Sequence, residues 1–344
     1  MTLLIVIIIL AIIFDYINGF HDAANAITSI VTTKVLSPVQ AVLWAVFFNF
    51  VAYFIARFII GEFGIANTIA KVVYEHFITL PILLAGISAA IFWNIFTWWF
   101  GIPSSSSHTL IGGFAGAAIC ANGFESIQSN TILLIVSFIV IAPVMGLLIS
   151  AIISIIFQWI FRNTEVKKTR KIFKYLQLTG SALFSIGHGL NDSQKVMGII
   201  AVAMIAATKS NPNMPNFLSM NDMSDIHDWV AIACFSAISI GTMSGGWKIV
   251  KTMGNKITKI NPLEGVAADT AGAFTLFFTE ILRVPVSTTH TISGAIMGVG
   301  AAKRFSAVRW KVSLRLVWAW ILTIPVSAVL AALFYIIFGW FGIK

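Results

Sequence analysis

Long apolar segments alternate with short polar loops along nearly the whole chain. About 20 apolar residues form a helix that crosses a bilayer, so eight of these segments are long enough to span one. They lie at residues 3–33, 39–60, 81–100, 131–161, 175–208, 229–247, 264–282 and 312–341. The first is interpreted as a helix and not as a removed signal peptide, because it lacks a basic region and a small-residue cleavage site. The pattern predicts an all-α polytopic membrane protein.

Two shorter apolar segments, at 104–121 and 287–302, differ from the others. Each follows a proline, begins with a cluster of hydroxyl side chains and continues with glycine and alanine. This composition favours a re-entrant helix that packs against protein over a helix that faces lipid. Hydropathy alone leaves open whether the two segments re-enter or span.

Composition and charge support a membrane protein. Hydrophobic residues make up 58% of the 344 positions and charged residues only 10%, against about a quarter in soluble domains, which excludes a soluble enzyme. The net charge of +9 is typical of basic loops on the cytoplasmic side, so we expect no nucleic-acid partner. Segment 162–174 is the most basic loop and is predicted to be cytoplasmic. The two cysteines, Cys120 and Cys234, indicate neither a disulfide framework nor a metal site.

The sequence contains an internal repeat. Residues 103–112 (PSSSSHTLIG) recur as residues 285–294 (PVSTTHTISG), and residues 19–22 (GFHD) have a counterpart at 189–192 (GLND). We therefore divide the chain into a first transmembrane repeat, a basic cytoplasmic linker and a second transmembrane repeat, at residues 1–161, 162–174 and 175–344. Duplication with glycine-interrupted apolar segments is typical of secondary transporters, whose binding site lies near the membrane midplane between the repeats.

Asp22 and Asp192 lie in otherwise apolar segments, where a carboxylate costs about 2.5–3.5 kcal/mol. Because the feature occurs at corresponding places in both halves, it indicates a cation or proton site more than a structural hydrogen bond. Asn25 and Asn191 add carbonyl oxygens of the kind that hard cations prefer. These four side chains fit a Na⁺ site and a proton relay equally well.

The hydroxyl clusters at residues 104–107 and 287–289 indicate a different ligand. Each lies at an expected helix start, where free backbone N–H groups and the helix dipole favour an anion, and a tetrahedral oxyanion fits such a place. Ordinary N-capping by a single hydroxyl is the simpler alternative. Lys195 either offsets the charge of an anion or extends to the membrane interface, and Gln194 adds amide donors.

Other classes of protein fit these residues less well. His108 and His290 end the two hydroxyl turns and are candidates for structural hydrogen bonds, proton transfer or substrate contact. An intramembrane hydrolase could use Ser105, His108 and Asp22, but a second copy of the motif would be redundant in an enzyme. A metalloenzyme built on His21 and Asp22 lacks zinc-type spacing. A passive anion channel is the stronger rival, although paired carboxylates favour ion coupling.

Residues 19–26 (GFHDAANA) and 187–198 (GHGLNDSQKVMG), with the two hydroxyl-His-Thr turns, closely resemble the inorganic phosphate transporter (PiT) family. The four motifs occur in the family's order and cover nearly the whole chain. The resemblance implies a cation-coupled phosphate symporter with two inverted repeats, and some bacterial members carry sulfate. It implies cation binding by Asp22, Asn25, Asn191 and Asp192. The expected phosphate ligands are Ser104, Ser105, Ser106, Ser287, Thr288, Thr289, Gln194 and Lys195.

Two departures from the family pattern and one difference between the halves affect these expectations. His21 stands where many members have asparagine, which leaves the coupling ion open. The loop at 162–174 lacks the long insert of animal members, so no regulatory domain is expected there. Val286 stands at the counterpart of Ser104, so the two halves are not chemically equal.

The sequence therefore predicts a transporter and not an enzyme. We expect two inverted repeats, each with a re-entrant helical hairpin after a broken first helix, in the plasma membrane. The protein would import inorganic phosphate with Na⁺ or H⁺ by alternating access, without a cofactor. A sulfate permease of the same family is the alternative, and a passive anion channel is a weaker one. The expected partners are inorganic phosphate and the lipid bilayer, and the sequence is compatible with a homodimer and with a separate cytoplasmic regulatory protein.

Overall fold

The structure, a computed structural model, describes residues 1–211 and 213–343. Residues 212 and 344, which fall within the expected second repeat, lie outside the described residues. The described chain forms twelve α-helices and no β-sheet. The helices are α1 (Thr2–Thr32), α2 (Pro38–Ile55), α3 (Gly64–Ala70), α4 (Leu80–Phe100), α5 (Ser106–Asn122), α6 (Ser129–Ile160), α7 (Val166–Ser210), α8 (Asp228–Ser244), α9 (Trp247–Lys256), α10 (Pro262–Ile281), α11 (Thr288–Lys303) and α12 (Trp310–Trp340).

Five helical stretches of the described chain are long and apolar enough to cross a membrane. They are Thr2–Thr32, Pro38–Ile60, Leu80–Phe100, Ser129–Ile160 and Trp310–Trp340. Helices α8 and α9, which are bent by 73° at a short break, add a sixth if they form one span. The predicted spans at 175–208 and 264–282 lie in α7 and α10, which are less apolar because they carry buried polar side chains such as Asp192, Lys195 and Asp269.

Two helix pairs form hairpins that enter the molecule from opposite ends. The chain segments before and after the α4–α5 hairpin are joined by a hydrogen bond from Tyr74 N to Ser126 O (2.9 Å). This bond lies close to the C-terminal end of α7. In α10–α11, Lys303 Nζ lies 3.3 Å from Glu264 Oε1, and a side chain at Gly265 would collide with Gln177 near the N-terminal end of α7. Since α7 is one continuous helix, the hairpins have opposite orientations, which is the geometry that inverted repeats require.

Each hairpin packs against the last helix of the other half. Helix α5 packs on α12 and α11 packs on α6. Glycines make these contacts close, because a Cβ at Gly116 would lie 2.3 Å from the Ala328 Cα and a Cβ at Gly294 would lie 2.1 Å from the Pro143 carbonyl oxygen. The equivalent packing in the two halves interlocks them around the hairpin tips.

Gly294→Ala is expected to lower the free energy of unfolding by about 1–3 kcal/mol, because the added methyl group overpacks the contact with Pro143. Gly339→Ala is the matched control: a Cβ there would have no neighbour within 4 Å, and alanine is the better helix former. Thermal unfolding of the two purified variants checks this, and equal stability would show that the α6–α11 contact is not close.

The expected break in the first helix of each half is wrong. Helix α1 runs unbroken through Asp22, and α7 runs unbroken through Asp192. The glycines before these residues permit close helix packing instead, because a Cβ at Gly19 would lie 2.3 Å from Ile238 O and one at Gly189 would lie 2.6 Å from Asn49 O. Residues 166–174 of the predicted linker form the first turns of α7.

Candidate functional site

The candidate site lies where α1 and α7 meet the tips of the two hairpins. The tips are in contact, since Ser107 Oγ donates to Val286 O (3.2 Å). The His108 and His290 rings lie edge to face with centroids 4.8 Å apart. The starts of α5 and α11 therefore come together beside the middle of the two long helices.

Asp22, His188 and Asp192 form a buried cluster. One ligand atom from each residue lies within 4.8 Å of the others, which is close enough for a single metal ion to bind all three. The sequence predicts that the two carboxylates belong to one site. The sequence analysis does not single out His188, although its i,i+4 spacing from Asp192 places it on the same face of α7.

Asp22 is surrounded by hydroxyls from the start of α11. Thr288 Oγ1 donates to Asp22 Oδ2 (3.3 Å), and Thr289 Oγ1 donates to Asp22 Oδ1 (3.4 Å). Asn25 Nδ2 donates to both of these threonine hydroxyls (3.2 and 2.9 Å). His21 Nδ1 lies 2.7 Å from Asp22 Oδ1. Two predicted site residues, Thr288 and Thr289, thus meet at this carboxylate, and a third, Asn25, bonds to both of their hydroxyls.

The other nitrogen of His21 connects Asp22 to the first hairpin. His21 Nε2 lies 3.2 Å from Thr97 Oγ1 and 3.3 Å from Ser104 Oγ, and Ser104 Oγ donates to Thr97 Oγ1 (2.8 Å). Ser104 therefore contacts the Asp22 carboxylate only indirectly, through His21. Thr97 was missed by the sequence analysis, because a threonine near the end of an apolar helix carries no distinctive signal.

Asp192 is paired with a cation of the protein. Its Oδ1 accepts from Lys195 Nζ (2.5 Å), and its Oδ2 lies 3.3 Å from His188 Nε2. Asn18 Nδ2 donates to Asp192 Oδ2 (3.4 Å) across α1 and α7. Asp192 and Lys195 are 0% and 1% exposed, so the charges offset each other largely without water. Asn18 was also missed, although it lies one helical turn before Asp22.

The two hydroxyl turns cap their helices in the same way. Ser105 Oγ accepts from His108 N (3.1 Å), and Ser287 Oγ accepts from His290 N (3.3 Å). These two serines are N-caps, which is the simpler alternative that the sequence leaves open. Among the described residues, Ser106 Oγ and Asn25 Oδ1 are buried without a hydrogen-bond partner, so they remain available to a ligand.

A model of the phosphate transporter family matches residues 18–331. The chain belongs to this phosphate transporter family. The resemblance drawn from the four motifs is thus confirmed, and the chain is a multi-pass membrane transporter and not an enzyme.

Relatives match this transporter over nearly its whole length. A "Probable low-affinity inorganic phosphate transporter" of Rhizobium meliloti (strain 1021) is 45% identical over 97% of this chain and 96% of its own. A protein of the same name from Bacillus subtilis (strain 168) is 42% identical over 98% and 97%. A solved structure titled "The sodium-dependent phosphate transporter" aligns with a TM-score of 0.83 and 25% identity, over 98% of this chain and 99% of that one.

The remaining predicted ligands of the transporter lie at the edge of this site. Gln194 Oε1 accepts from Ile65 N (3.0 Å), and its Nε2 donates to Glu280 Oε1 (2.6 Å), so both ends of the amide bond to α3 and α10. Among the described residues, the Gln194 amide makes no hydrogen bond to the hydroxyl turns, so its contacts in this conformation do not support a phosphate-binding role. Asn191 Oδ1 accepts from Val286 N (3.4 Å), which places it on the second hairpin tip and not on Asp22.

Proposed function

We propose that the transporter imports inorganic phosphate across the plasma membrane by symport with Na⁺ or H⁺. The observation that carries this proposal is the burial of Asp22 and Asp192 together, beside the starts of α5 and α11. A carboxylate pair suits a cation, and helix starts with hydroxyls suit a tetrahedral anion. The relatives' names and the sodium-dependent transporter of similar fold support the same substrate and coupling.

Electrostatics explains why the two ligands would be coupled. Two unit charges 4 Å apart interact by about 4 kcal/mol at an effective dielectric constant of 20, and a phosphate dianion doubles that value. Repulsion from an uncompensated Asp22 would therefore reduce phosphate affinity by orders of magnitude. A Na⁺ beside Asp22, or a proton bound by the adjacent pair of Asp22 and His21, removes that repulsion. The cation has to bind for the anion to bind well.

The phosphate would bind at the first turns of α5 and α11. The two turns are in contact with each other, the first N–H groups of a helix lack intrahelical partners, and the buried Ser106 hydroxyl has no partner among the described residues. The hydroxyls of Thr288 and Thr289, now on Asp22, would turn to the anion when a cation takes their place. Ser104, Ser105 and Ser287 support this region as the hydroxyls that brace and cap it.

Alternating access would expose this site to one side of the membrane at a time. The hairpins come from opposite ends of the molecule and meet at the site, so separation of their tips from α1 and α7 would open a path toward one end or the other. The homodimer and the separate cytoplasmic regulatory protein stay predictions from the sequence.

Uptake of radiolabelled phosphate into proteoliposomes tests the proposal. Na⁺ and pH gradients are imposed separately, with unlabelled sulfate as competitor. We expect one gradient to drive accumulation above the external concentration, without inhibition by excess sulfate. Uptake that only equilibrates would indicate the anion channel, and accumulation of labelled sulfate in place of phosphate would indicate the sulfate permease.

Thr288→Ala is expected to raise the half-saturating phosphate concentration about 10- to 150-fold, because one hydrogen bond to a charged group is worth about 1.5–3 kcal/mol. Thr288→Ser keeps the hydroxyl and is expected to stay within a few fold of the unmodified transporter. Initial rates of uptake over a range of phosphate concentrations measure both variants. Equal half-saturating concentrations for alanine and serine would remove Thr288 from the phosphate site.

A further inference from the structure

Lys195 has the surroundings of a bound metal cation. Its Nζ lies 2.5 Å from Asp192 Oδ1, 2.5 Å from Ser107 Oγ and 2.6 Å from Val286 O. A lysine ammonium has three N–H donors and no acceptor, so these three oxygens use all of its hydrogen-bonding capacity. Lys195 therefore has no donor left for phosphate in this conformation, contrary to a simple role as an anion ligand.

The three oxygens are those that a hard monovalent cation takes. They are a carboxylate from α7, a hydroxyl from the first turn of α5 and a backbone carbonyl just before α11. In transporters, carbonyls of unwound backbone coordinate Na⁺, and hard cations also take carboxylate oxygens. The ammonium thus joins the two hairpin tips to α7 at a place where an ion could do the same.

The internal repeat shows that this cation is present in only one half. Lys195 follows Asp192 by three residues, as Asn25 follows Asp22. Lys195 contacts Ser107 on the opposite hairpin, and Asn25 contacts Thr289, which is the counterpart of Ser107 in the repeat. The first half therefore pairs a carboxylate with a neutral amide, whereas the second half pairs a carboxylate with an ammonium.

We propose that the Lys195 ammonium is a tethered cation that occupies the cation site of the second half. It takes the place of one Na⁺ that Asp192, Ser107 and Val286 O would otherwise bind. If transport is coupled as proposed above, the tethered ammonium lowers the number of coupling ions by one. Asp22 is then the site for the mobile cation. The occupancy of the site by Lys195 does not depend on what the protein carries.

Binding of ²²Na⁺ to the purified transporter tests the proposal without phosphate. Lys195→Asn gives the second half the side chain of Asn25 and vacates the ammonium position. We expect this variant to bind one more Na⁺ per chain than the unmodified protein. Lys209→Asn, at an exposed lysine that pairs with Glu75, is the control and is expected to bind the same number as the unmodified protein.

Thermal unfolding in NaCl and in choline chloride provides the second measurement. Lys195→Asn is expected to be less stable in choline chloride and to be stabilised by NaCl more than the unmodified protein is, because Na⁺ then binds the vacated folded-state site. An unchanged number of bound Na⁺, or no additional stabilisation by NaCl, would overturn the proposal. These outcomes are separate from a failure of phosphate uptake, since neither measurement contains phosphate.

Discussion

Asp22→Asn is expected to abolish cation-driven phosphate accumulation while the protein still folds and reaches the membrane. The carboxamide can keep its oxygen at the Oδ1 position, where His21 and Thr289 bond, while its NH₂ group faces the Thr288 hydroxyl as a donor. The local contacts therefore survive with the direction of one hydrogen bond reversed. What is lost is the negative charge that makes a cation necessary. Proteoliposome uptake under an imposed gradient measures the effect, and residual uptake is expected to be no longer driven by the cation gradient.

Asp225→Asn is the control for this prediction, because Asp225 is an exposed acid in the loop before α8. It is expected to accumulate phosphate like the unmodified transporter. If Asp22→Asn were to accumulate phosphate with unchanged cation dependence, the coupling role of Asp22 would be excluded.

Asp192→Asn is expected to destabilise the protein by about 3–5 kcal/mol as well as to abolish uptake. The reason is Lys195, whose buried ammonium would lose its only counter-charge within 4 Å among the described residues. Among the described residues Asp22 has no lysine or arginine within 4 Å and pairs only with His21 (2.7 Å). The two aspartates should therefore differ in their effect on stability, although they correspond in the repeat. Thermal unfolding and protein yield distinguish them.

The double variant Asp192→Asn, Lys195→Met separates the two effects of Asp192. Removal of both charges is expected to restore most of the lost stability, because neither member of the Asp192–Lys195 pair is then left buried without the other. Uptake is expected to stay absent, since Ser107 and Val286 O then have neither an ammonium nor a carboxylate to complete a cation site. Stability that is not restored would show that Asp192 acts on folding through other contacts, such as those of Asn18 and His188.

Much of the site could be predicted because its signals are local. A carboxylate in an apolar segment is costly, and the repetition of Asp22 as Asp192 indicates a shared role. The hairpins follow from proline, hydroxyl and glycine patterns that also occur twice. The unbroken course of α1 and α7 could not be predicted, since glycine is compatible with a helix break and with close packing alike. The packing partners that decide between the two, Ile238 and Asn49, lie far away in sequence.

The contacts of single side chains depend on three-dimensional packing that local patterns do not contain. Gln194 and Lys195 are neighbours in sequence, but a helix turns their side chains by about 100°, so Gln194 reaches α3 and α10 while Lys195 reaches Asp192. Asn18 joins Asp192 across two helices, and only the packing of α1 on α7 reveals that contact. The pairing of ligands across the halves therefore required the structure.

Equilibrium phosphate binding to the purified transporter, measured at several cation concentrations, tests most directly whether cation neutralisation of Asp22 permits anion binding. NaCl is compared with choline chloride, and two pH values are compared at equal HPO₄²⁻ concentration. We expect one cation to raise phosphate affinity at least about tenfold, which is about 1.4 kcal/mol, and Asp22→Asn to remove that dependence. Phosphate affinity that is unaffected by both Na⁺ and protons in the unmodified protein would contradict the mechanism.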